Sequence, residues 1–139
     1  MYKDKIDEKI IEYLKEDSRE SFVDIGKKLK LSESAVRRRV KQLVDNGTIK
    51  KFTLELGEEN ATSAIVLVSV DSAMDTSKVS IKLAKLDGVK TVYEITGQYD
   101  ITTIISASNI SEINSSIDAL RKIPGVVDTN TVIILRKIV

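Results

Sequence analysis

Ser34, Arg37, Arg38 and Lys41 lie within two helical turns of one another in the run Ser32-Glu-Ser-Ala-Val-Arg-Arg-Arg-Val-Lys-Gln-Leu-Val-Asp-Asn-Gly47. Their types and spacing suit recognition of a polyanion. Arginine pairs bidentately with a guanine edge, serine donates or accepts at a base, and lysine neutralises phosphate. Other chemistries lack their residues. The 139 residues include no His and no Cys, so the commonest general base, the commonest metal ligand, thiolate metal sites and disulfides are all missing. An enzyme would have to rest on carboxylates, and the C-terminal half shows no clustered pair of them. No catalytic residue, metal or cofactor is expected.

The element that must present these four side chains is a helix with both of its ends marked. Ser32 is placed to accept a first-turn N–H as N-cap, Glu33 suits the positive helix start, and Asn46-Gly47 supplies the left-handed residue that closes it. Between the caps, Val36, Val40, Leu43 and Val44 recur at helical spacing and predict one buried stripe. At about 100° per residue, the opposite face falls on Ser34 and Arg38, with Arg37 and Lys41 beside them. The plain alternative is a solvated basic face on an ordinary surface helix.

The charge distribution bears on that choice. From Lys27 to Lys51 there are nine basic residues against two acidic ones, about +7, which leaves the rest of the chain near −6 beneath an overall +1. A basic block between acidic flanks is the footprint of a polyanion partner. A surface merely rich in Lys and Glu would intersperse the two signs. No apolar run approaches the roughly 18 residues of a membrane span and Met1-Tyr-Lys-Asp-Lys5 leads into no signal-peptide core, so a soluble, cytoplasmic protein with no membrane partner is expected.

Upstream, Ile6, Ile10, Tyr13 and Leu14 share one face of a first helix that ends near Asp17. Ser21 with Asp24 starts a second, short helix with Phe22, Ile25 and Leu29 as its apolar face. Only Lys30-Leu31 separates it from the basic helix, which describes a helix-turn-helix. After Gly47 the period changes from 3.6 to 2. Phe52, Leu54 and Leu56 alternate with Lys51, Thr53 and Glu55, the pattern of a wing strand, with Lys50 and Lys51 placed to touch phosphate.

The polar, aperiodic stretch Gly57–Thr62 reads as a linker, dividing a DNA-binding domain over 1–56 from a second domain over 63–139. In the second, strands are expected over Ala64–Val70, Val89–Ile95, Ile101–Ala107 and Val126–Leu135. Helices are expected at Val79, Leu83 and Leu86, and from Asn109 through Ile110, Ile113, Ile117 and Leu120. An internal repeat supports this β-α-β-β-α-β order: Leu83-x-Lys85-x-x-Gly88-Val89 returns as Leu120-x-Lys122-x-x-Gly125-Val126. Two right-handed βαβ units form a four-stranded antiparallel sheet with both helices on one face, a ferredoxin-like arrangement in an α+β protein. The other face, rich in Ile and Val, is then bare, which predicts face-to-face pairing into a homodimer.

Together these residues resemble a known family. Arg19-Glu-Ser-Phe22, Leu31 to Leu43 and Asn46-Gly-Thr-Ile-Lys50 are similar to the DNA-binding half of the Lrp/AsnC (feast/famine) transcriptional regulators. Gly88-Val89, Thr96-Gly-Gln-Tyr-Asp-Ile101 and Pro124-Gly-Val126 with Thr131-Val-Ile-Ile-Leu135 are similar to that family's C-terminal RAM domain. The resemblance spans nearly the whole chain. It implies double-stranded DNA as partner, a dimer made by the sheets and assembled further to a tetramer or octamer, an amino-acid effector, and control of amino-acid metabolism genes. Gly26 departs from the usual Ala, which is expected to loosen the second helix, and Lys51 from a common Gly.

On the DNA side, Ser34 and Arg38 are the expected base readers, Lys41, Lys50, Lys51 and the helix start at Ser32 are candidates for phosphate, and Arg37 beside them is a further DNA-binding candidate. Arg39, an arginine the family pattern keeps, projects to the flank, where an ion pair inside the unit, with Asp24, is expected. For the effector, Gly97 lets backbone donors approach a carboxylate and Asp100 can hold an ammonium; Tyr99 belongs to the same matching segment, and Thr131 completes the pocket from the same or a neighbouring subunit. The bland reading has Gly97 making a turn, Tyr99 packing and Asp100 capping backbone.

Rival functions each make a demand. An RNA-binding sheet needs aromatic residues on its central strands, and Ile101–Ala107 has none. An architectural DNA-binding protein that responds to no effector would share the basic helix and the dimer.

Overall fold

The computed structural model describes residues 4–57 and 61–138, so Glu58-Glu-Asn60, half of the expected linker, lies outside the described residues. The chain divides into two compact units, Met1–Leu56 and Gly57–Val139.

The first unit is three helices, α1 (Lys5–Glu16), α2 (Phe22–Leu29) and α3 (Glu33–Asp45), and each begins on a side-chain cap. Asp4 accepts from the N–H groups of Ile6 and Asp7, Ser21 from that of Asp24, and Ser32 from that of Ala35. Lys30, at φ 57° and ψ 44°, is the left-handed residue that ends α2, and Leu31 N–H then reaches back to the Gly26 carbonyl at 2.8 Å. That turn is very tight. A Cβ on Gly26 would meet the Leu31 carbonyl oxygen at 2.5 Å, so Gly26 permits the close approach rather than loosening α2. Ile10, Leu14, Ile25, Val36, Val40 and Leu43 form the core, with Tyr13, Phe22, Leu29 and Ile49 packed against it.

Two expectations for this unit fail. Val44 is 41% exposed. Val36, Val40 and Leu43 lie within about 60° of one another around α3, and Val44 falls about 80° from Val36, at the edge of that stripe. The wing is also absent: residues 50–57 form no strand, and Phe52, Leu54 and Leu56 stand 51%, 76% and 74% exposed. Alternation alone makes no strand without a neighbouring strand for its backbone hydrogen bonds, and among the described residues no strand forms a ladder with this segment.

The second unit contains β1 (Thr62–Val70), α4 (Thr76–Leu83), β2 (Val89–Glu94), β3 (Ile101–Ala107), α5 (Ile110–Arg121) and β4 (Val126–Ile134). The strands are antiparallel throughout, in the order β2-β3-β1-β4. This is the ferredoxin-like order. Ala64, Val66, Val68, Ile101 and Ile105 point from one sheet face into Val79 and Leu83 of α4 and Ile113, Ile117 and Leu120 of α5. Burying each Val, Leu or Ile among these contributes roughly 1.5–3 kcal/mol. Ile110, expected on the same stripe, is 55% exposed because it opens the first turn of α5, beyond the sheet's cover. Leu86 lies past the end of α4 yet packs on the core.

The register brings Ile65, Ile104 and Val132 side by side on the opposite face, with Leu67 next in β1. Neither α4 nor α5 covers that face, and Val132 is 49% exposed.

Candidate nucleic-acid interface and effector loop

Along α3, Ser34, Arg37, Arg38 and Lys41 are all exposed, on the side away from Val36, Val40 and Leu43. Their local partners differ. Arg37 bonds to Glu33 one turn earlier and lies over the Phe22 ring, 5.3 Å from its centroid. Lys41 pairs with Asp45 at 2.6 Å, and Ser34 Oγ shares a 3.1 Å hydrogen bond with Ser32 Oγ. Arg38 has no hydrogen bond or ion pair among the described residues, which leaves its whole guanidinium for an outside partner. Lys50 and Lys51, in the segment after Gly47 (φ 75°), are likewise exposed and bound to no side chain there.

Arg39 does make an ion pair, but with different acids from the one expected. Its Nη1 donates to Asp4 Oδ2 at 2.7 Å and Asp7 Oδ1 at 2.8 Å, joining the middle of α3 to the start of α1. Asp24 instead accepts from Ser21 Oγ at 2.7 Å and pairs with Lys27, occupied by the cap of its own helix. The Asp7 N–H, followed by the Arg39 guanidinium, holds the Asp4 carboxyl below the usual carboxylate range. Asp7 and then Asp4 raise the Arg39 guanidinium still further.

In the second unit, Thr96–Asp100 is the exposed connection between β2 and β3, closed by Ile95 N–H to the Asp100 carbonyl at 2.8 Å. Gly97 sits at φ 119° with nothing within 4 Å of a Cβ, so both its conformation and its openness suit a close backbone approach. Tyr99 is half-buried. Asp100 N–H bonds to the Val68 carbonyl at 3.0 Å, and Asp100 Oδ2 accepts from Val70 N–H at 2.8 Å. The backbone-capping role is therefore real. The other carboxylate oxygen, Oδ1, has no partner among the described residues.

Thr131 is not brought to this loop within one chain. It lies on β4 opposite Val66, on the helix-bearing face, with β1 between it and β3. Two strand spacings and three residues of offset put it about 10 Å across and about 10 Å along from Asp100. Its Oγ1 is buried without a hydrogen-bond partner.

Sequence reasoning missed three features. The acids for Arg39 were signalled only weakly, by Asp4 and Asp7 at a helix start; the left-handed Lys30 carried no signal. The third is a polar cleft beside Gly88, on the far side of the sheet from the loop. Among the described residues no three His, Cys, Asp or Glu side chains cluster as a metal site requires, and no helix is long and apolar enough to cross a membrane.

Comparisons with known proteins agree over both units. The AsnC-type helix-turn-helix domain matches residues 4–44, and the Lrp/AsnC ligand binding domain matches residues 63–139. The HTH-type transcriptional regulator LysM of Saccharolobus solfataricus is 47% identical over 133 residues, 96% of this chain and 94% of that protein. The HTH-type transcriptional regulator FL11 of Pyrococcus horikoshii is 38% identical over 136 residues, 96% and 89% of the two chains. Among solved structures, LrpC of Bacillus subtilis superposes with a TM-score of 0.83 at 33% identity, covering 99% of this chain and 98% of its own. The transcriptional regulator NMB0573 of Neisseria meningitidis, solved in complex with L-Met, reaches 0.88 at 27% identity, covering 99% and 92%.

Proposed function

This chain belongs to the Lrp/AsnC family of transcriptional regulators, and on that footing we propose that it controls amino-acid metabolism genes by binding operator DNA through α3 under the influence of an amino-acid effector. The observation that carries the DNA side is Arg38: an exposed guanidinium, free of partners among the described residues, on the face of α3 opposite its buried stripe. Arg38 and Ser34 read bases. Arg37, Lys41, Lys50, Lys51 and the α3 start at Ser32 neutralise phosphate, with Arg37 and Lys41 exchanging their carboxylate partners for it.

The effector is held by the Thr96–Asp100 loop. Gly97 offers backbone donors to the carboxylate, Asp100 Oδ1 takes the ammonium, and Tyr99 borders the site. Thr131, whose Oγ1 is buried on the helix-bearing face and too far from the loop in its own chain, is left out of this pocket. NMB0573 in complex with L-Met supports an amino acid as the ligand class. The bare sheet face around Ile65, Ile104 and Val132 supports the homodimer, and the family supports further assembly to a tetramer or octamer.

Titrating operator and random DNA with the protein, with and without each of the twenty amino acids, tests the reading. At least one amino acid should change operator affinity or assembly. An affinity indifferent to all twenty favours the architectural alternative.

A further inference from the structure

The 37-residue repeat makes the two βαβ halves of the second unit comparable position by position. Gly88 and Gly125, at φ 82° and 100°, turn each helix into its following strand, and each packs against the helix of the other half. A Cβ on Gly125 would meet Val79 Cγ2 at 2.9 Å, and one on Gly88 would meet Ser116 Oγ at 3.1 Å. Val79 and Ser116 are counterparts, 37 residues apart. So are Lys90 and Val127, and each is the extra residue of a β-bulge: the β2–β3 register skips Lys90 and the β1–β4 register skips Val127. The backbone device is the same in both halves, and bulges of this kind re-aim a side chain.

What fills the two corners differs. In the first half, Met74 reaches from the turn before α4 onto Gly125, its Cγ 3.3 Å from the Cβ position, and with Val79 it makes a hydrocarbon corner. In the second half, α5 is the longer helix, 12 residues against 8, and it starts where the first half still has that turn. The counterparts there are Ser111, Ser116 and Lys90, and no side chain replaces Met74. A cleft of about 780 Å³ opens between the α4–β2 turn, the end of β3 and the first turns of α5, lined by Asp87, Lys90, Ser106, Ser108, Glu112 and Ser116. That volume is in the range of small-molecule sites.

Asp87 and Lys90 border this cleft on either side of Gly88, yet they form no ion pair with each other or with any other side chain among the described residues. Glu112 accepts the Ser108 N–H at 3.0 Å, and Ser116 Oγ donates to the Asp87 carbonyl at 3.2 Å. Asp87, Lys90 and Glu112 are exposed side chains of both signs that line one cleft, and a molecule that carries both charges a few ångströms apart can satisfy them jointly.

We propose that this cleft is a second binding site, for a small zwitterion of the amino-acid class, with Lys90 taking the carboxylate and Asp87 and Glu112 the ammonium. It stands at the end of β2 and β3 remote from Thr96–Asp100, roughly a 20 Å strand length away. The two sites are therefore separable by experiment.

Hydrogen–deuterium exchange on the intact protein, with each of the twenty amino acids as probe, reads both sites at once. At least one probe should slow exchange over residues 86–91 and 106–116. Lys90→Ala should weaken that protection about tenfold in apparent Kd, and Asp100→Asn should leave it unchanged. The double variant Ser111→Met/Ser116→Val imports the hydrocarbon filling of the first half and should abolish it. If that variant does not fold, Lys90→Ala decides alone. Protection confined to residues 95–101 for every probe, or cleft protection indifferent to Lys90→Ala, overturns the proposal. Cleft protection without any at the loop sustains it and defeats the effector assignment to Thr96–Asp100.

Discussion

The carboxylate of Asp4 accepts Arg39 Nη1 at 2.7 Å while also capping α1, so one side chain both starts the first helix and ties it to the recognition helix. Asp7, bonded to the same nitrogen at 2.8 Å, makes the tie double. Arg39 is 23% exposed and Asp7 18%, more shielded than an ordinary surface pair.

Arg39→Ala should therefore destabilise the first unit by roughly 1 kcal/mol, the upper end for exposed pairs. Thermal melts in low and high salt check this, and salt should narrow the gap between variant and wild type. The Asp4 carboxyl is depressed from 3.8, so its contribution is complete above that value and is lost as pH falls through the lower, folded value. Acid unfolding of Asp4→Asn should accordingly show a shallower loss of stability below about pH 4 than the wild type.

Arg38→Ala should cost about 1–3 kcal/mol at the operator and relax preference at one base pair per half-site. Lys50→Ala should weaken operator and random DNA alike and reduce the salt slope by about 1. Fluorescence titrations at several salt concentrations distinguish the two. Equal loss by Arg38→Ala on both DNAs would remove Arg38 as a base reader.

Because Asp100 also holds Val70 N–H, Asp100→Ala conflates fold and ligand, whereas Asp100→Asn keeps an acceptor and removes only the charge. Asp100→Asn should lower effector affinity about tenfold or more while its melting temperature stays close to that of the wild type. Calorimetry with the effector decides; an unchanged Kd takes Asp100 out of the site.

Ile65 and Val132 lie side by side on the bare sheet face. Replacing either with Lys puts a charge in the middle of the expected contact and should shift sedimentation from dimer to monomer. A dimer that persists in both variants places the interface elsewhere.

Gly26→Ala brings a methyl to 2.5 Å from the Leu31 carbonyl oxygen, and opening that turn should cost about 1–3 kcal/mol. Lys30→Gly, which relieves a left-handed residue, should be neutral or stabilising by up to about 1 kcal/mol. Denaturant midpoints measure both.

The amino-acid sequence by itself determined the elements and their order. Ser21, Ser32 and Asn109 cap their helices through N–H groups three residues away, and such contacts are set by local spacing alone. The repeat around Gly88 and Gly125 declared two βαβ units, and handedness left a single sheet order for them. Tertiary structure decided what depended on distant neighbours. Several acids lay within the unit, and only packing selected Asp4 and Asp7, 35 and 32 residues from Arg39, over Asp24. Val44 and Ile110 carry apolar side chains at helical spacing and are exposed because the first lies at the edge of the buried stripe and the second opens its helix. Phe52, Leu54 and Leu56 alternate as a strand does, but alternation supplies no hydrogen-bonding partner. Asp100 and Thr131 both looked like ligand groups; β1, folded between their strands, holds the first by its backbone and separates it from the second. The cleft at Gly88 lies where a repeated backbone has Ser116 in the place its twin gives to Val79, a difference that takes effect only once the two halves are packed against each other.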